Sequence, residues 1–288
     1  MLKVGTRGSA LAVTQARQVI GQISGAELVV IESSGSPAED KARWTRSLDE
    51  ALLAGEIDIA VHSAKDVPAD RPDGVITVAI PERVDPRDSI CGAPNLEVLE
   101  AGAKVGTASP RRAALVKAMR PDVEVIELRG NVDTRLRKLD EGTCEAIILA
   151  AAGLERLRIS ERGIPLDPTT FTPAAGQGCL MLEALQANTA AAEGAAGIHH
   201  LESSTALIAE RALVKALDAD CHTAVGALAN VDGDLIGMSA VVLAPDGSSA
   251  LQATVESTEP PEVVGRNLAK QLLDSGAGEL LSLARGEH

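Results

Sequence analysis

The sequence predicts an α/β protein of two related lobes followed by a small α+β domain, and three observations predict it. Short β-branched runs alternate with helix-period segments through the first 150 residues. Lys3-Val4-Gly5-Thr6 recurs as Lys104-Val105-Gly106-Thr107, each string leading into a regularly spaced apolar helix pattern. Beyond residue 200 the pattern changes to strands in succession flanked by helices. At 288 residues the chain exceeds the usual single-domain length, and a hydrophobic content of 45% is enough for more than one packed core.

The strand candidates of the first two lobes are residues 2–4, 28–31, 57–61 and 75–79, then 104–105, 123–128 and 146–149. A second echo relates Gly55-Glu56-Ile57-Asp58-Ile59-Ala60-Val61 to Gly142-Thr143-Cys144-Glu145-Ala146-Ile147-Ile148. The charged, Pro-rich segment 80–88 reads as a crossing between lobes, and 165–178 as the return. After an Ala-rich stretch at 187–197, a helix over 201–217 precedes strands at 223–229, 235–243 and 251–255 and a helix at 263–273. Asp232-Gly233 and Pro245-Asp246-Gly247 mark the turns between these strands. The predicted domains are 1–82 with 175–197, then 86–171, then 200–288.

A formal charge of -14 opposes a nucleic-acid partner, because binding phosphates needs a basic surface. With Trp44, Phe171 and no tyrosine, platforms for base stacking are also missing. The chain opens on Met1-Leu2-Lys3-Val4-Gly5 without a basic, then long apolar, leader, and no run reaches about 18 apolar residues; the expectation is a cytoplasmic protein that does not engage a membrane. Cys91, Cys144, Cys179 and Cys221 lie far apart without a CxxC pair, which fits neither a disulfide framework nor a zinc site, so no metal is expected. Against this acidic background arginines cluster at Arg7, Arg111-Arg112, Arg129, Arg135 and Arg156, either as solvated surface charges or as a site for a small anionic ligand.

Position along the elements sharpens the choice. Each lobe's first strand passes through Gly-Thr into a helix start, whose free N–H groups and dipole attract anions. Ser109 is placed to cap the second of these helices, Pro110 suits its first position, and Arg111 and Arg112 put two cations into its first turn, where the dipole disfavours them by roughly a few tenths of a kcal/mol. A carboxylate ligand clamped by the guanidinium groups accounts for them, and so do acidic partners within the protein. Arg129-Gly130-Asn131 ends the next strand, on the usual ligand side of an open α/β sheet. In the first lobe the strand at 57–61 emerges into His62-Ser63-Ala64-Lys65-Asp66-Val67-Pro68, where Lys65 and Asp66 are either loop charges or a functional pair. Cys221 follows the turn Asp218-Ala219-Asp220 and reads as accessible, although an adjacent carboxylate disfavours a thiolate. His199 and His200 open a helix and read as surface residues.

Several strings, taken in order over nearly the whole chain, resemble the porphobilinogen deaminase family. They are Gly5-Thr6-Arg7-Gly8-Ser9-Ala10-Leu11-Ala12, then Asp58-Ile59-Ala60-Val61-His62-Ser63-Ala64-Lys65-Asp66-Val67-Pro68, then Asp85-Pro86-Arg87-Asp88. Gly106-Thr107-Ala108-Ser109-Pro110-Arg111-Arg112, Leu128-Arg129-Gly130-Asn131-Val132 with Thr134-Arg135-Leu136, residues 147–154 and Gly176-Gln177-Gly178 continue the series. Two stretches depart from the family's pattern. Residues 36–46 are shorter by several residues than the family's glycine-rich lid and keep Lys41 as their lysine, with Trp44 where Phe is common; Asp220-Cys221-His222-Thr223-Ala224 lacks the usual flanking glycine and following proline.

The resemblance implies two lobes folded like type II periplasmic binding proteins, a third α+β domain and a cleft between the lobes. It implies a monomeric transferase of tetrapyrrole biosynthesis, hydroxymethylbilane synthase, which condenses four porphobilinogen units head to tail with loss of ammonia. By the same carry-over a dipyrromethane cofactor is thioether-linked to Cys221 and Asp66 is the catalytic carboxylate. Arg7, Ser9, Gln15, Lys41, Lys65, Thr107, Ser109, Arg111, Arg112, Arg129, Arg135 and Arg156 then bind the cofactor and the acidic side chains of the substrate. The competing expectations are a relative that condenses a different pyrrole and a non-catalytic protein that binds small carboxylates with the same lobes.

Overall fold

The computed structural model describes residues 1–32, 42–220 and 222–286, the side chains of 42–44 excepted. Two residues singled out from the sequence, Lys41 and Cys221, therefore lie outside the described residues, as does most of the segment read as a shortened lid. Residues 1–84 with 178–204 form one compact unit, and 85–177 with 205–288 form a second.

The first unit begins with β1 (Leu2–Arg7), α1 (Ala10–Ile20), β2 (Ala26–Ile31), α2 (Ala42–Leu53), β3 (Ile59–Ser63), a 3-10 turn at Ala64–Asp66, and β4 (Val75–Ala79). The second contributes β5 (Asp88–Cys91), β6 (Lys104–Gly106), α3 (Pro110–Met119), β7 (Glu124–Ile126), α4 (Val132–Asp140), β8 (Ala146–Ala150), α5 (Ala151–Arg156) and the short β9 (Ile164–Pro165). The chain then returns to the first unit with β10 (Leu180–Leu185) and α6 (Thr189–Ala196). The five-stranded sheets have the orders β2-β1-β3-β10-β4 and β7-β6-β8-β5-β9. In each, three parallel strands meet one antiparallel strand that lies next to the edge.

The two sequence echoes have a physical cause. A Cβ on Gly5 falls 2.3 Å from Ile57 Cδ1, and one on Gly106 falls 2.9 Å from Leu128 Cδ2, so both strands need glycine where a neighbouring side chain crosses them. Asp58 Oδ2 accepts the Lys3 N–H at 2.8 Å, and Glu145 Oε2 accepts the Lys104 N–H at 2.6 Å. An acid at the same place in each echo thus completes the ladder at the start of the lobe's first strand. The sequence reading placed no strand at β10, whose Leu-Met-Leu-Glu-Ala-Leu composition favours helices. Insertion between β3 and β4, with Leu182, Glu183 and Ala184 fully buried, overrides that preference.

The remaining elements are α7 (Leu201–Ala216), the antiparallel meander β11 (Val225–Asp232), β12 (Leu235–Leu243) and β13 (Ala250–Ser257), then α8 (Pro261–Asp274) and α9 (Ala277–Arg285). One sheet face packs on α7, α8 and α9 through Leu213, Met238, Val242, Leu268 and Leu272. Within the second unit, Ala224, Val241 and Leu243 join the cluster of Ile90, Leu115, Ile148 and Phe171, which welds this meander to the lobe beneath. The fully buried Glu210 of α7 accepts the N–H of Gly176 at 2.6 Å and of Ala229 at 2.8 Å. Among the described residues no helix is long and apolar enough to cross a membrane.

Gly265 lets α8 approach α7 closely: a Cβ there falls 2.1 Å from the Ala209 carbonyl oxygen and 2.9 Å from Leu213 N. Gly265→Ala forces backbone apart and is expected to cost about 3 kcal/mol in chemical denaturation. Gly278→Ala, in α9 with nothing within 4 Å of its Cβ, is expected to be neutral or to stabilise by up to about 1 kcal/mol. Equal effects at the two sites contradict this packing.

Candidate active site

The first unit gathers its candidate residues at the carboxyl ends of β1 and β3. Arg7 ends β1, and Ser9 caps α1, its Oγ accepting the Ala12 N–H at 3.3 Å. Gln15, buried on α1, donates from Nε2 to Ser63 Oγ at 2.9 Å, which ties that helix to the end of β3. The chain then tightens into the 3-10 turn carrying Lys65 and Asp66, anchored by Ala64 N–H to the Cys179 carbonyl at 3.0 Å. Arg7, Gln15, Thr45, His62, Ser63 and Asp66 line one small cleft. Burial lowers the pKa of the Arg7 guanidinium, and the Asp66 charge acts against that shift, so the two groups sense each other electrostatically.

Beneath this cleft lies a charge cluster that the sequence reading missed. Arg71 donates through Nε to Glu183 Oε1 at 2.8 Å, through Nη2 to Glu183 Oε2 at 2.6 Å, and to both oxygens of Asp49. His62 Nε2 stands 3.3 Å from Glu183 Oε2. Asp49, His62 and Glu183 have the donor set of a metal site, but the Arg71 guanidinium takes the place that a cation would occupy between the carboxylates. The Glu183 charge is shared with Arg71; burial first, then the positive charges of Arg71 and Arg7, lower the His62 pKa from 6.5 to about 3. The folded protein therefore keeps His62 neutral.

In the second unit the positions read from the sequence have unequal surroundings. Ser109 caps α3, accepting the Arg112 N–H at 3.4 Å, and Pro110 takes the first helical position, as expected. Thr107 is buried and its Oγ1 accepts the Ser109 N–H at 3.2 Å. Arg111 and Arg112 are almost wholly buried against an acid to which the sequence reading gave no role. Asp88, the first residue of β5, accepts Arg111 Nη1 at 2.7 Å on Oδ2, and Arg112 Nε at 2.8 Å and Nη2 at 2.7 Å on Oδ1. Gln177 Nε2 also donates to Oδ1, at 3.0 Å. Burial alone raises a carboxyl, but the two guanidinium charges hold Asp88 well below the usual carboxylate range. Of the two readings of the arginine pair, an acidic partner within the protein is thus present, and a ligand role has to be compatible with it.

Arg129 is exposed and donates to Glu127 Oε1 at 2.7 Å; Arg135 Nε donates to the Gly130 carbonyl at 2.8 Å, folding back over its strand end. Arg156 is buried in the last turn of α5. Beside Cys221, the Asp220 carboxylate accepts the His222 N–H at 2.8 Å and the Thr223 N–H at 3.1 Å. The buried Cys91 thiol is pushed up to about 11, chiefly by burial, which leaves little thiolate. His199 is exposed as expected, but its Nδ1 also accepts the Ile80 N–H at 3.1 Å.

The missed residues carried weak sequence signals. Asp88 and Gln177 lie inside strings quoted above, Asp85-Pro86-Arg87-Asp88 and Gly176-Gln177-Gly178, yet they reach Arg112 from 24 and 65 residues away. Arg71 and Glu183 are separated by 112 positions.

The state of His62 fixes a pH dependence. Unfolded chain takes up a proton at this residue near pH 6.5 and folded protein only near 3, so between these values the unfolded state holds more protons and stability rises with pH. The expected loss is up to about 1.4 kcal/mol per pH unit on lowering the pH from 6.5 to 5. His62→Gln is expected to flatten that slope in urea unfolding; an unchanged slope contradicts a neutral buried His62.

Two family models account for most of the chain: "Porphobilinogen deaminase, dipyromethane cofactor binding domain" matches residues 2–193, and "Porphobilinogen deaminase, C-terminal domain" matches 204–274. A porphobilinogen deaminase of Thermus thermophilus is 43% identical over 297 aligned residues, covering 98% of each chain. Those of Rubrobacter xylanophilus and Desulforudis audaxviator are 40% and 41% identical, over 99% and 98% of this chain and 98% and 97% of theirs. Among solved structures, an ABC transporter periplasmic substrate-binding protein from Coxiella burnetii aligns with 71% of this chain and 94% of its own, at a TM-score of 0.42 and 12% identity. With both domains matched in order and identity sustained from end to end, the chain belongs to the porphobilinogen deaminase family.

Proposed function

We propose that Asp66 is the carboxylate at which this chain performs the reaction of its family, the condensation of four porphobilinogen units with release of ammonia to give linear hydroxymethylbilane. The observation that carries the assignment is the place of Asp66, in a tight turn at the end of β3 that shares a cleft and an electrostatic field with Arg7. Loss of ammonia from the aminomethyl group leaves a cation delocalised over the pyrrole. A carboxylate already fixed there stabilises that charge as it develops, with little reorganisation. Arg7, with Gln15 in the same cleft and with Lys65 and Ser9, holds the acidic side chains of the incoming unit. Ser9 Oγ and Ser109 Oγ spend an acceptor lone pair on their helix caps, which leaves each hydroxyl proton for a ligand carboxylate.

When bound, the dipyrromethane group supplies a covalent, carboxylate-bearing primer. The second unit fits such a group: two buried guanidinium groups face one carboxylate, so a positive charge is left over where an acidic ligand would balance it. Cys221 is its proposed carrier, with Thr107, Ser109, Arg111, Arg112, Arg129, Arg135 and Arg156 binding the primer and growing chain and Lys41 assisting from the segment after β2. Three domains, 1–82 with 175–197, 86–171 and 200–288, remain our division of the chain. The separate C-terminal meander supports it. We further infer a cytoplasmic monomer that acts on a small-molecule substrate without nucleic-acid or membrane partners. The buried thiols Cys91 and Cys144 suit a reducing compartment, and the charge of -14 suits no polyanion.

Asp66→Asn keeps the shape and removes the charge, and turnover is expected to fall by roughly 10²–10³. Arg7→Leu is expected to retain the dipyrrole mass while elongation stalls. Near-normal turnover in Asp66→Asn makes Asp66 a bystander.

A further inference from the structure

We propose that Asp88 is a positioning residue that pins Arg112 and leaves Arg111, of the two guanidinium groups that bind the ligand, with the larger unspent hydrogen-bonding capacity. The proposal rests on the reading that this pair faces an acidic ligand. Asp88 is fully buried at the head of β5, and an uncompensated carboxylate cannot be kept there. One arginine would neutralise it. The protein supplies two, and their hydrogen bonds differ.

Arg112 is engaged by the protein through all three of its nitrogens, which spends four of its five N–H donors. Its Nε and Nη2 meet Asp88 Oδ1, its Nη1 donates to the Ile148 carbonyl at 3.0 Å, and its Nη2 also reaches Gln177 Oε1 at 3.3 Å. Arg111 is held at one corner. Its Nη1 makes both of its bonds, to Asp88 Oδ2 at 2.7 Å and to the Thr172 carbonyl at 2.7 Å, while its buried Nε has no acceptor among the described residues. A guanidinium fixed through one nitrogen and unsatisfied at another is oriented but not consumed, and it can still take a carboxylate. Gln177 completes the device: Nε2 donates to the Pro86 carbonyl at 2.8 Å and to Asp88, and Oε1 receives Arg112. The acid is thereby matched to Arg112, and the charge of Arg111 is the surplus.

The test compares thermal stability with cofactor occupancy, the latter read by intact mass as the fraction of purified protein that carries a dipyrrole increment. Arg111→Gln leaves Asp88 paired with Arg112, so its Tm is expected to fall by less than in the Arg112→Gln and Asp88→Asn variants, while occupancy falls at least about tenfold. Arg112→Gln and Asp88→Asn break the buried pair, and each is expected to lose roughly 6 °C or more. Arg112→Lys keeps the charge with fewer contacts; a smaller Tm loss with more occupancy than Arg111→Gln is expected, which keeps the comparison available if Arg112→Gln does not fold. A Tm loss in Arg111→Gln equal to that in the Arg112 variants overturns the division of labour. Full occupancy in Arg111→Gln overturns the proposal, and if Arg112→Lys and Asp88→Asn are also fully loaded, the reading of the pair as a ligand clamp fails with it.

Discussion

Buried carboxylates shared between basic side chains fix the geometry on which the rest of this protein depends. In the second unit Asp88 pairs with Arg111 and Arg112 of the first turn of α3, and Gln177 ties Asp88 and Arg112 to the Pro86 carbonyl. In the first unit Arg71 joins Asp49 on α2 to Glu183 on β10, and His62 packs beside them as a neutral ring. Such pairs contribute little net stability compared with well-packed apolar residues, because desolvation offsets most of the Coulomb gain. What they supply here is placement: Arg111 and Arg112 are fixed at a helix start, and α2 is tied to β10 beside the cleft of the first unit.

That placement suits a reaction in which one charge is stabilised while others are held still. Each porphobilinogen brings acidic side chains, and its activation creates a cation. Two lobes of similar sheet layout present two sets of strand ends, with Asp66 and Arg7 in one and, in the other, the buried arginines of α3 and those of α4. Their common architecture has a local chemical basis, since the same glycine and the same type of acid recur where the first strand of each lobe begins.

Much of this was legible in the sequence. The echo of Lys3-Val4-Gly5-Thr6 at Lys104-Val105-Gly106-Thr107 announced the paired lobes, and Ser109-Pro110 announced the start of α3. The positions of Arg7, Lys65 and Asp66 followed from strand ends. The partners of these residues were not legible. A lone Asp88 in a charged, Pro-rich crossing carries no sign that it will be buried under two arginines, and Glu183 sits in a run of helix formers that becomes the antiparallel strand β10. Burial of this kind is decided by which strands become neighbours, which local propensity and spacing do not encode.

The central claim is that the chain grows a pyrrole oligomer covalently on itself. The most direct measurement is intact mass spectrometry of the purified protein before and after a brief, limiting pulse of porphobilinogen, with Cys221→Ser run in parallel. The account predicts a starting mass heavier than the sequence by a dipyrrole, a ladder of further pyrrole increments after the pulse, and neither in Cys221→Ser. Active protein that shows the bare sequence mass throughout, and releases product without any covalent adduct, would contradict it.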